Sequence, residues 1–215
     1  MLPNVSRETL GRGAPNVSRE TPLRISASMA LAFSRNILHY IPMEILTLGD
    51  ELLRQKAAPV ANIKSNPHKW SKIAQEMFDS LQKGKGVGLA GPQTGLMERI
   101  FVTNVDGDGP RVFINPSIIE TSQEMAKYEE GCLSIPGIWA DVVRSKAVKI
   151  QAWNEKGRPF TIEASGVLAR VILHEFDHLE GVLFIDRLPE LKRQKILDKI
   201  AKQLEKQQQA AKANA

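Results

Sequence analysis

The segment 174–178, with the sequence HEFDH, constrains the fold because its two histidines lie four positions apart. On a helix this spacing places both imidazoles on one face, one turn apart, where they can bind the same metal ion. Glu175 directly follows the first histidine, and its carboxylate can act as a general base towards a water molecule. A chance HExxH on an exposed helix is the alternative. The surrounding apolar residues instead indicate a buried helix: Val171, Ile172, Leu179, Val182 and Leu183.

A catalytic metal site also needs a third protein ligand and an open coordination position. One large group of metalloproteases has a histidine six positions after the second histidine of HExxH. Gly181 fits that pattern here, but the last position is Phe184, which cannot bind a metal. Glu190 and Glu205 follow in the C-terminal region, and neither is placed to return to the two histidines as a third ligand. Cys132, the single cysteine, is the remaining candidate, with a buried core residue as its alternative. A Cys/His/His set suits Zn²⁺ or Fe²⁺ rather than Mg²⁺ or Ca²⁺.

A glycine-rich segment, residues 86–93 with the sequence GVGLAGPQ, is the third signal. No Gly-Lys-Ser/Thr follows it and the spacing is not GxGxxG, so a nucleotide-binding loop is not favoured. Glycines also occur where the backbone approaches a ligand closely and a Cβ atom would obstruct it. Gln93 then offers an amide donor for a developing oxyanion.

Hydrophobic spacing and turn residues predict an α+β fold. Helices are predicted at 67–83, 166–180 and 188–209, with Ser165 and Gly181 flanking the second. Strands are predicted at 99–105, 112–114, 118–121 and 142–153, with hairpin turns at 106–107 and 155–157. Without regular βαβ alternation, we expect one domain with short, mostly antiparallel or mixed sheets around a central helix that carries the HExxH motif.

Charge divides the 215 residues, which carry a net charge of +5, into three parts. Residues 1–42 carry five Arg against two Glu, residues 43–187 are slightly acidic, and residues 188–215 carry seven Lys and Arg against three acidic residues. We therefore expect an N-terminal extension, a catalytic domain over 43–187, and a basic C-terminal helix and tail. No apolar run approaches the ~20 residues that cross a membrane, and a lone cysteine suits a reducing, cytoplasmic location.

The N-terminal extension contains PNVSRET twice, at residues 3–9 and 15–21, and its composition predicts disorder. Three interpretations stay open. The first is an organellar transit peptide, although Glu8 and Glu20 argue against one. The second is a functional tail. The third is that the segment is not translated and that the chain begins at Met43, with Met29 as the second choice.

The three motifs together resemble those of peptide deformylases. The glycine-rich segment ending in Gln93, the EGCLS segment at residues 130–134, and HEFDH followed by two residues and Gly181 occur in the order of that family. The resemblance runs from about Met43 to Arg187. It implies an enzyme that hydrolytically removes the formyl group from the N-terminal formyl-methionine of new proteins and releases formate.

The resemblance also implies a role for each site residue. Cys132, His174 and His178 would hold one divalent metal ion, with Fe²⁺ as the first expectation and Zn²⁺, Ni²⁺ or Co²⁺ as alternatives. Glu175 would move the proton, and Gln93 and the backbone N–H of Leu133 would stabilise the oxyanion. The substrate-binding residues would be Gly86, Val87 and Gly88 along the peptide backbone, and Val87, Tyr128, Val167 and Val171 around the methionine side chain.

Two positions depart from the family pattern. The segment Ala90-Gly91-Pro92-Gln93 stands where many members have Ala-Ala-x-Gln, and Leu173 stands where the residue before the first histidine is often Gln. Neither change removes a ligand, so we expect a changed loop and altered hydrogen bonding around the site.

Two other functions are compatible with parts of the sequence, a metallopeptidase and a non-catalytic binding module. An HExxH metallopeptidase would need a third His or Glu ligand downstream, and the sequence lacks a convincing one. A non-catalytic partner-binding module would act through the basic tail, which we also expect to contact ribosomal RNA in the enzyme. The expected partners are therefore N-formylmethionyl nascent peptides and the ribosome, with neither membrane nor DNA.

Overall fold

The computed structural model describes residues 43–213, and the N-terminal extension predicted at 1–42 lies outside that range. A five-stranded antiparallel sheet has the order β1-β2-β3-β6-β7. Its strands are β1 Gly88–Ala90, β2 Ile100–Val105, β3 Gly109–Thr121, β6 Ala147–Trp153 and β7 Pro159–Ser165. A second antiparallel sheet pairs β4 Met125–Cys132 with β5 Ile135–Ser145. Together with the three α-helices of residues 43–213, these sheets confirm the predicted α+β class.

Two helices cover opposite faces of the larger sheet. Helix α1, Pro67–Gly84, begins at Asn66, whose side chain accepts a hydrogen bond from the backbone N–H of Lys69. Helix α2, Gly166–Leu179, packs against the other face. Alternate strand residues separate the two cores, since Phe101 packs towards α2 and Val102 towards α1. The predictions for both helices were correct to within a residue.

The ends of α2 are set by glycines. Gly166 and Gly181 both have positive φ values, +60° and +72°. Gly181 ends the helix in the left-handed conformation predicted for it. Ser165 occupies the predicted N-cap position, but its side chain makes no capping hydrogen bond.

The strands differ from the sequence prediction both in their boundaries and in their number. The strands predicted at 112–114 and 118–121 form one strand, β3, because an irregular register accommodates Asn115, which has φ 48°. The run predicted as one strand at 142–153 divides at Lys146, whose N–H bonds to Glu124, so that its two halves join different sheets. Strands β1, β4 and β7 were not predicted, and in β4 charged residues interrupt the apolar pattern.

A third core joins β5 to the segment after α2. Ile135, Ile138 and Val142 pack there with Leu183 and Phe184. The last helix, α3, covers Glu190–Ala213 and packs its first turns on this core through Ile196, Leu197 and Ile200. It starts two residues later than predicted. No helix in the described part of the chain is long and apolar enough to cross a membrane.

Candidate metal centre

Cys132, His174 and His178 meet at one point between α2 and the end of β4. Their ligand atoms all lie within 4.8 Å of one another, and Sγ of Cys132 is 3.3 Å from Nε2 of His178. Both imidazoles are buried, and the thiol is partly exposed. The helical spacing of four therefore brings the histidines together as predicted, and the last residue of β4 supplies the sulfur.

A buried carboxylate orients the first histidine. Oε2 of Glu130 lies 2.9 Å from Nδ1 of His174, which leaves Nε2 of that ring to face the thiol. Burial alone would raise the pKa of the Glu130 carboxyl, but hydrogen bonds from His174 and Arg144 outweigh it and hold the pKa well below its usual value. Glu130 is therefore an anion at any working pH.

An ion network fixes that anion in turn. Arg144 donates two hydrogen bonds to Glu130, at 2.7 and 3.0 Å, and a third to Asp177 at 2.6 Å. Arg170 donates to Glu130 at 2.8 Å, and Arg187 pairs with Asp177 on its outer side. Breaking such a buried network by removing one partner leaves an uncompensated charge, so the network gives His174 one orientation.

Glu175 lies beside the ligands but takes no part in this network. It is 4 % exposed, and its Oε2 has no hydrogen-bond partner among the described residues. Burial raises the pKa of its carboxyl to about 7, against the opposing attraction of His174. A carboxylate with a pKa near neutrality can both accept and return a proton, which a general base needs.

Gln93 is held with its amide nitrogen towards the thiol. Its Oε1 accepts a hydrogen bond from the backbone N–H of Ala90 at 2.7 Å, which settles which end of the amide points inwards. Its Nε2 lies 3.4 Å from Sγ of Cys132 and donates to Oγ of Ser134 at 3.2 Å. The site therefore has an amide donor directly beside the ligands.

Gly91, two residues before Gln93, stands at one of the positions that depart from the family pattern. A Cβ atom on Gly91 would lie 2.6 Å from the carbonyl oxygen of Leu96. Alanine, common at this position in the family, would not fit the present turn. The turn that leads to Gln93 therefore requires glycine at position 91. Leu173 packs partly buried against the core between α2 and the larger sheet.

A cavity of about 470 Å³ opens beside the three ligands. Gly86, Val87 and Gly88 line one wall of it, and Val167 and Val171 contribute from α2. Residues 135–139 form a facing wall that the sequence did not indicate. Tyr128 is not among the lining residues, because its ring lies over the Arg170 guanidinium at 5.2 Å. A larger cavity of about 610 Å³, between α1 and β3, contains none of the ligands.

The residues present fit a single metal ion. One thiol and two imidazoles form a borderline-soft donor set. Burial holds the pKa of His178 well below its usual value, so this ring is neutral, as a ligand must be. Burial opposes protonation of His174 too, but hydrogen bonds to Cys132 and Glu130 raise its pKa to about 10. The thiol and the carboxylate thus favour a positive charge between them, which a metal cation supplies.

Phe184 occupies the position where one group of metallopeptidases has its third histidine. Its ring is buried and lies 6.0 Å from the His174 ring, centroid to centroid. Within the described residues, the metal-binding cluster at this site consists of Cys132, His174 and His178 and includes neither Glu190 nor Glu205. The arrangement therefore differs from that of the alternative peptidase.

Sequence reasoning did not identify Glu130, Arg144, Arg170 and Ser134 as parts of the site. Glu130 and Ser134 stand within EGCLS, so their closeness to Cys132 was a usable signal. Arg144 and Arg170 lie in an unpredicted strand pairing and on the helix, and only the fold brings them to Glu130.

Comparison with known proteins agrees with this geometry. The polypeptide deformylase family model matches residues 42–194. The chain is 48% identical over 156 residues to a peptide deformylase of Borreliella burgdorferi, covering 72% of this chain and 93% of the relative. It is 43% identical over 162 residues to one of Neisseria gonorrhoeae, covering 74% and 95%.

Solved structures give the same result. The peptide deformylase from Thermus thermophilus superimposes with a TM-score of 0.70 at 37% identity, covering 79% of this chain and 99% of that one. The peptide deformylase from Synechococcus elongatus in complex with actinonin gives a TM-score of 0.67 at 40% identity, covering 74% and 85%.

Proposed function

This chain belongs to the polypeptide deformylase family and is a hydrolase of N-terminally formylated nascent peptides, and from that premise we propose a role for each residue of its site. Cys132, His174 and His178 hold one divalent metal ion. The single observation that carries this proposal is the meeting of these three side chains, with ligand atoms within 4.8 Å of one another, beside an unpaired buried carboxylate.

The metal ion, when bound, supplies a Lewis acid that makes a water molecule acidic near neutral pH and polarises the formyl oxygen. Glu175 takes up the proton that this water loses as its oxygen bonds to the formyl carbon. The same carboxyl then delivers the proton to the leaving nitrogen as the carbon–nitrogen bond breaks. The products are formate and a free amino group, so the atoms balance and Glu175 returns to its starting state.

Two donors stabilise the negative oxygen that forms during attack. Nε2 of Gln93 exchanges its long contact with Cys132 for the oxyanion, and the backbone N–H of Leu133 is the second donor. Removing one such donor typically costs 10²–10³-fold in kcat. Because Gln93 is buried and held by Ala90, the donor is in place before the substrate arrives.

The substrate backbone pairs with residues 86–88. Among the described strands, β1 lies at the edge of its sheet and pairs with β2 alone, so its other edge can accept an extended peptide. The methionine side chain enters the cavity between Val87, Val167 and Val171. Val87 and Val167 are about half exposed, and a bound apolar side chain would cover them. Tyr128, over Arg170, then borders this pocket rather than lining it.

Release of the amine from formyl-Met-Ala-Ser tests these roles. We expect turnover by protein purified without oxygen, and a loss of at least 10³-fold in kcat for Glu175→Gln with the metal content unchanged. Acetyl-Met-Ala-Ser is the control substrate, because a peptidase would cut its internal bonds whatever group caps the amine. Full activity of Glu175→Gln would overturn the role of Glu175, and internal cleavage would favour the metallopeptidase.

We propose Fe²⁺ as the native ion, because a thiolate and two imidazoles accept it and the family resemblance implies it. Zn²⁺, Ni²⁺ and Co²⁺ suit the same donors. Elemental analysis of protein purified without oxygen, followed by activity after reloading with each ion, decides between them. One equivalent of zinc and no iron in the active protein would contradict the proposal.

The basic helix α3 is proposed to contact the ribosome, in the cytoplasm where nascent chains are made. Lys195, Lys199, Lys202 and Lys206 are spaced by four, three and four residues and so lie along one face. Ile196, Leu197 and Ile200 pack on the third core, so deleting the helix would also disturb the fold.

Charge replacement therefore tests this contact better than truncation does. Changing three of the lysines to Gln should weaken co-sedimentation with ribosomes. The slope of log binding constant against log salt concentration should also fall, by the equivalent of about three phosphate contacts. The matched control changes Lys127 on β4, Lys146 between β5 and β6, and Lys149 on β6. Equal binding by both triple variants would contradict a specific role for α3.

A further inference from the structure

The irregular segment 44–48, called here the bridging segment, joins the two parts of the chain that carry the proposed oxyanion donors. The backbone N–H of Leu46 donates to the carbonyl oxygen of Gln93 at 2.7 Å. The backbone N–H of Leu48 donates to the carbonyl oxygen of Ser134 at 2.8 Å. One short segment therefore bonds the residue that carries the first donor and the residue next to the second.

The two parts so joined belong to different sheets. Gln93 lies in the short 3₁₀ helix Gly91–Thr94, which follows β1 of the larger sheet. Leu133 and Ser134 form the connection between β4 and β5 of the smaller sheet. The strand register within either sheet consequently does not set the distance between the donors. Besides the bridging segment, the hydrogen bond from Gln93 Nε2 to Ser134 Oγ also links them directly.

Packing holds the bridging segment on both sides. Ile45 packs into the core between α1 and the larger sheet, whereas Leu46 and Leu48 pack into the third core, which also includes Cys132. At the start of the segment, Oγ of Ser80 donates to the carbonyl oxygen of Met43 at 3.1 Å. The two N–H groups are thus presented from a segment that is itself fixed.

We propose that Leu46 and Leu48 are positioning residues for deformylation, whose backbone N–H groups set the spacing between Gln93 and Leu133. This inference rests on the proposed role of Gln93. Neither residue lines the cavity beside the ligands or belongs to the cluster of Cys132, His174 and His178. Misplacing a catalytic group by about 1 Å can cost about 10²-fold in rate. A donor held by fixed partners before the reaction is worth far more than one that must reorganise.

Leu46→Pro tests the proposal, because proline removes the N–H that bonds Gln93. Leu46→Ala is the matched control, since it shortens the side chain and keeps the N–H. We expect Leu46→Pro to lower kcat at least tenfold, with KM for formyl-Met-Ala-Ser within twofold and one metal ion per chain retained. Leu46→Ala should stay within threefold of the parent. Equal losses in both variants would show that only side-chain packing matters, and would overturn the proposal.

A double-mutant cycle with Gln93→Ala separates positioning from a general structural effect. If Leu46 acts through Gln93, adding Leu46→Pro to Gln93→Ala should lower kcat by less than a further twofold. A multiplicative loss would overturn the inference while leaving the role of Gln93 intact. An unimpaired Gln93→Ala single variant would instead refute the role of Gln93, and with it the inference.

If Leu46→Pro does not fold, the cycle is repeated with an ester in place of the peptide bond between residues 45 and 46. The ester removes the same N–H without fixing φ, so the fold is preserved and the expected and contradicting outcomes are unchanged. Leu48→Pro gives the corresponding measurement for Ser134, with Leu48→Ala as its control.

Discussion

Gly88 lies so close to Glu175 that a Cβ atom on the glycine would clash with Oε1 of the carboxylate. The same atom would be 2.6 Å from Cγ1 of Val171, on the preceding turn of α2. The edge strand and the helix therefore approach each other more closely here than any other residue type allows. This contact places the proposed base directly beside the strand that is proposed to bind the peptide.

Gly88→Ala should abolish most of the activity by displacing Glu175 rather than by removing a ligand. We expect kcat to fall about 10²-fold, because a shift of about 1 Å in a catalytic group has a cost of that order. Metal content should stay at one ion per chain. Steady-state kinetics with formyl-Met-Ala-Ser, beside elemental analysis, measures both.

Gly84→Ala is the control for this prediction. Its added Cβ would meet side-chain methyl groups, those of Leu133 at 3.0 and 3.1 Å and Cδ1 of Ile45 at 3.6 Å, which flexible side chains can move. We expect that variant to remain within threefold of the parent. Parent-like activity of Gly88→Ala would show that the base tolerates displacement.

The part of the site that the sequence predicted is the part set by local geometry. His174 and His178 meet because a helix repeats every 3.6 residues, and that spacing is visible in the sequence. Cys132 was reached by excluding Phe184, Glu190 and Glu205, and by the family resemblance, rather than from spacing. Its contact with His178 spans 46 positions, which no periodicity encodes.

The residues that support the site escaped prediction for the same reason. Arg144 lies on β5, and its bonds to Glu130 depend on the β4–β5 register, which charged residues obscured in the sequence. The bridging segment acts through backbone N–H groups of Leu46 and Leu48, and the identity of a side chain says nothing about these. The hairpin turn at 106–107 was predictable, because Asp-Gly favours one backbone conformation.

Glu130→Gln should weaken metal binding, because the carboxylate orients His174. Losing such a partner of a ligand typically costs 10–100-fold in metal affinity. The variant should also unfold more easily, by about 3 kcal/mol, since Arg144 and Arg170 lose their buried counter-charge. Competition with a chelator and urea denaturation measure the two effects.

The adjacent Glu129 provides the matched control. It is exposed and makes no ion pair within the described part of the chain, so Glu129→Gln should change neither quantity measurably. If both variants bind metal equally tightly, the carboxylate of Glu130 does not orient the ligand.

Cys132→Ala should remove the metal ion and, with it, deformylation. Two histidines alone leave a site without its thiolate, so we expect less than about a tenth of an ion per chain after dialysis. The metal-free variant should unfold at nearly the same temperature as the metal-free parent, because the thiol is only partly buried. Retention of a full equivalent of metal by Cys132→Ala would mean that a different third ligand completes the site.

Glu175→Gln should stabilise the metal-free protein, and the gain should depend on pH. The folded carboxyl has a pKa of about 7, raised chiefly by burial, against 4.5 for a glutamate side chain in water. Below about 4.5 both states hold the proton, so the parent suffers no penalty there. As pH rises, the unfolded state releases its proton first, and the folded parent loses stability until the folded carboxyl ionises near 7.

The advantage of the Gln variant should therefore grow between about pH 4.5 and 7 and stay level above that. A shift of this size corresponds to roughly 3 kcal/mol at the plateau. Urea denaturation of the two metal-free proteins at several pH values measures it. Loading with metal should shrink the difference near neutrality, because a neighbouring cation favours the carboxylate and lowers its pKa. A difference that is constant from pH 4 to 8 would show that Glu175 titrates normally, and that burial does not prepare it to exchange protons near neutral pH.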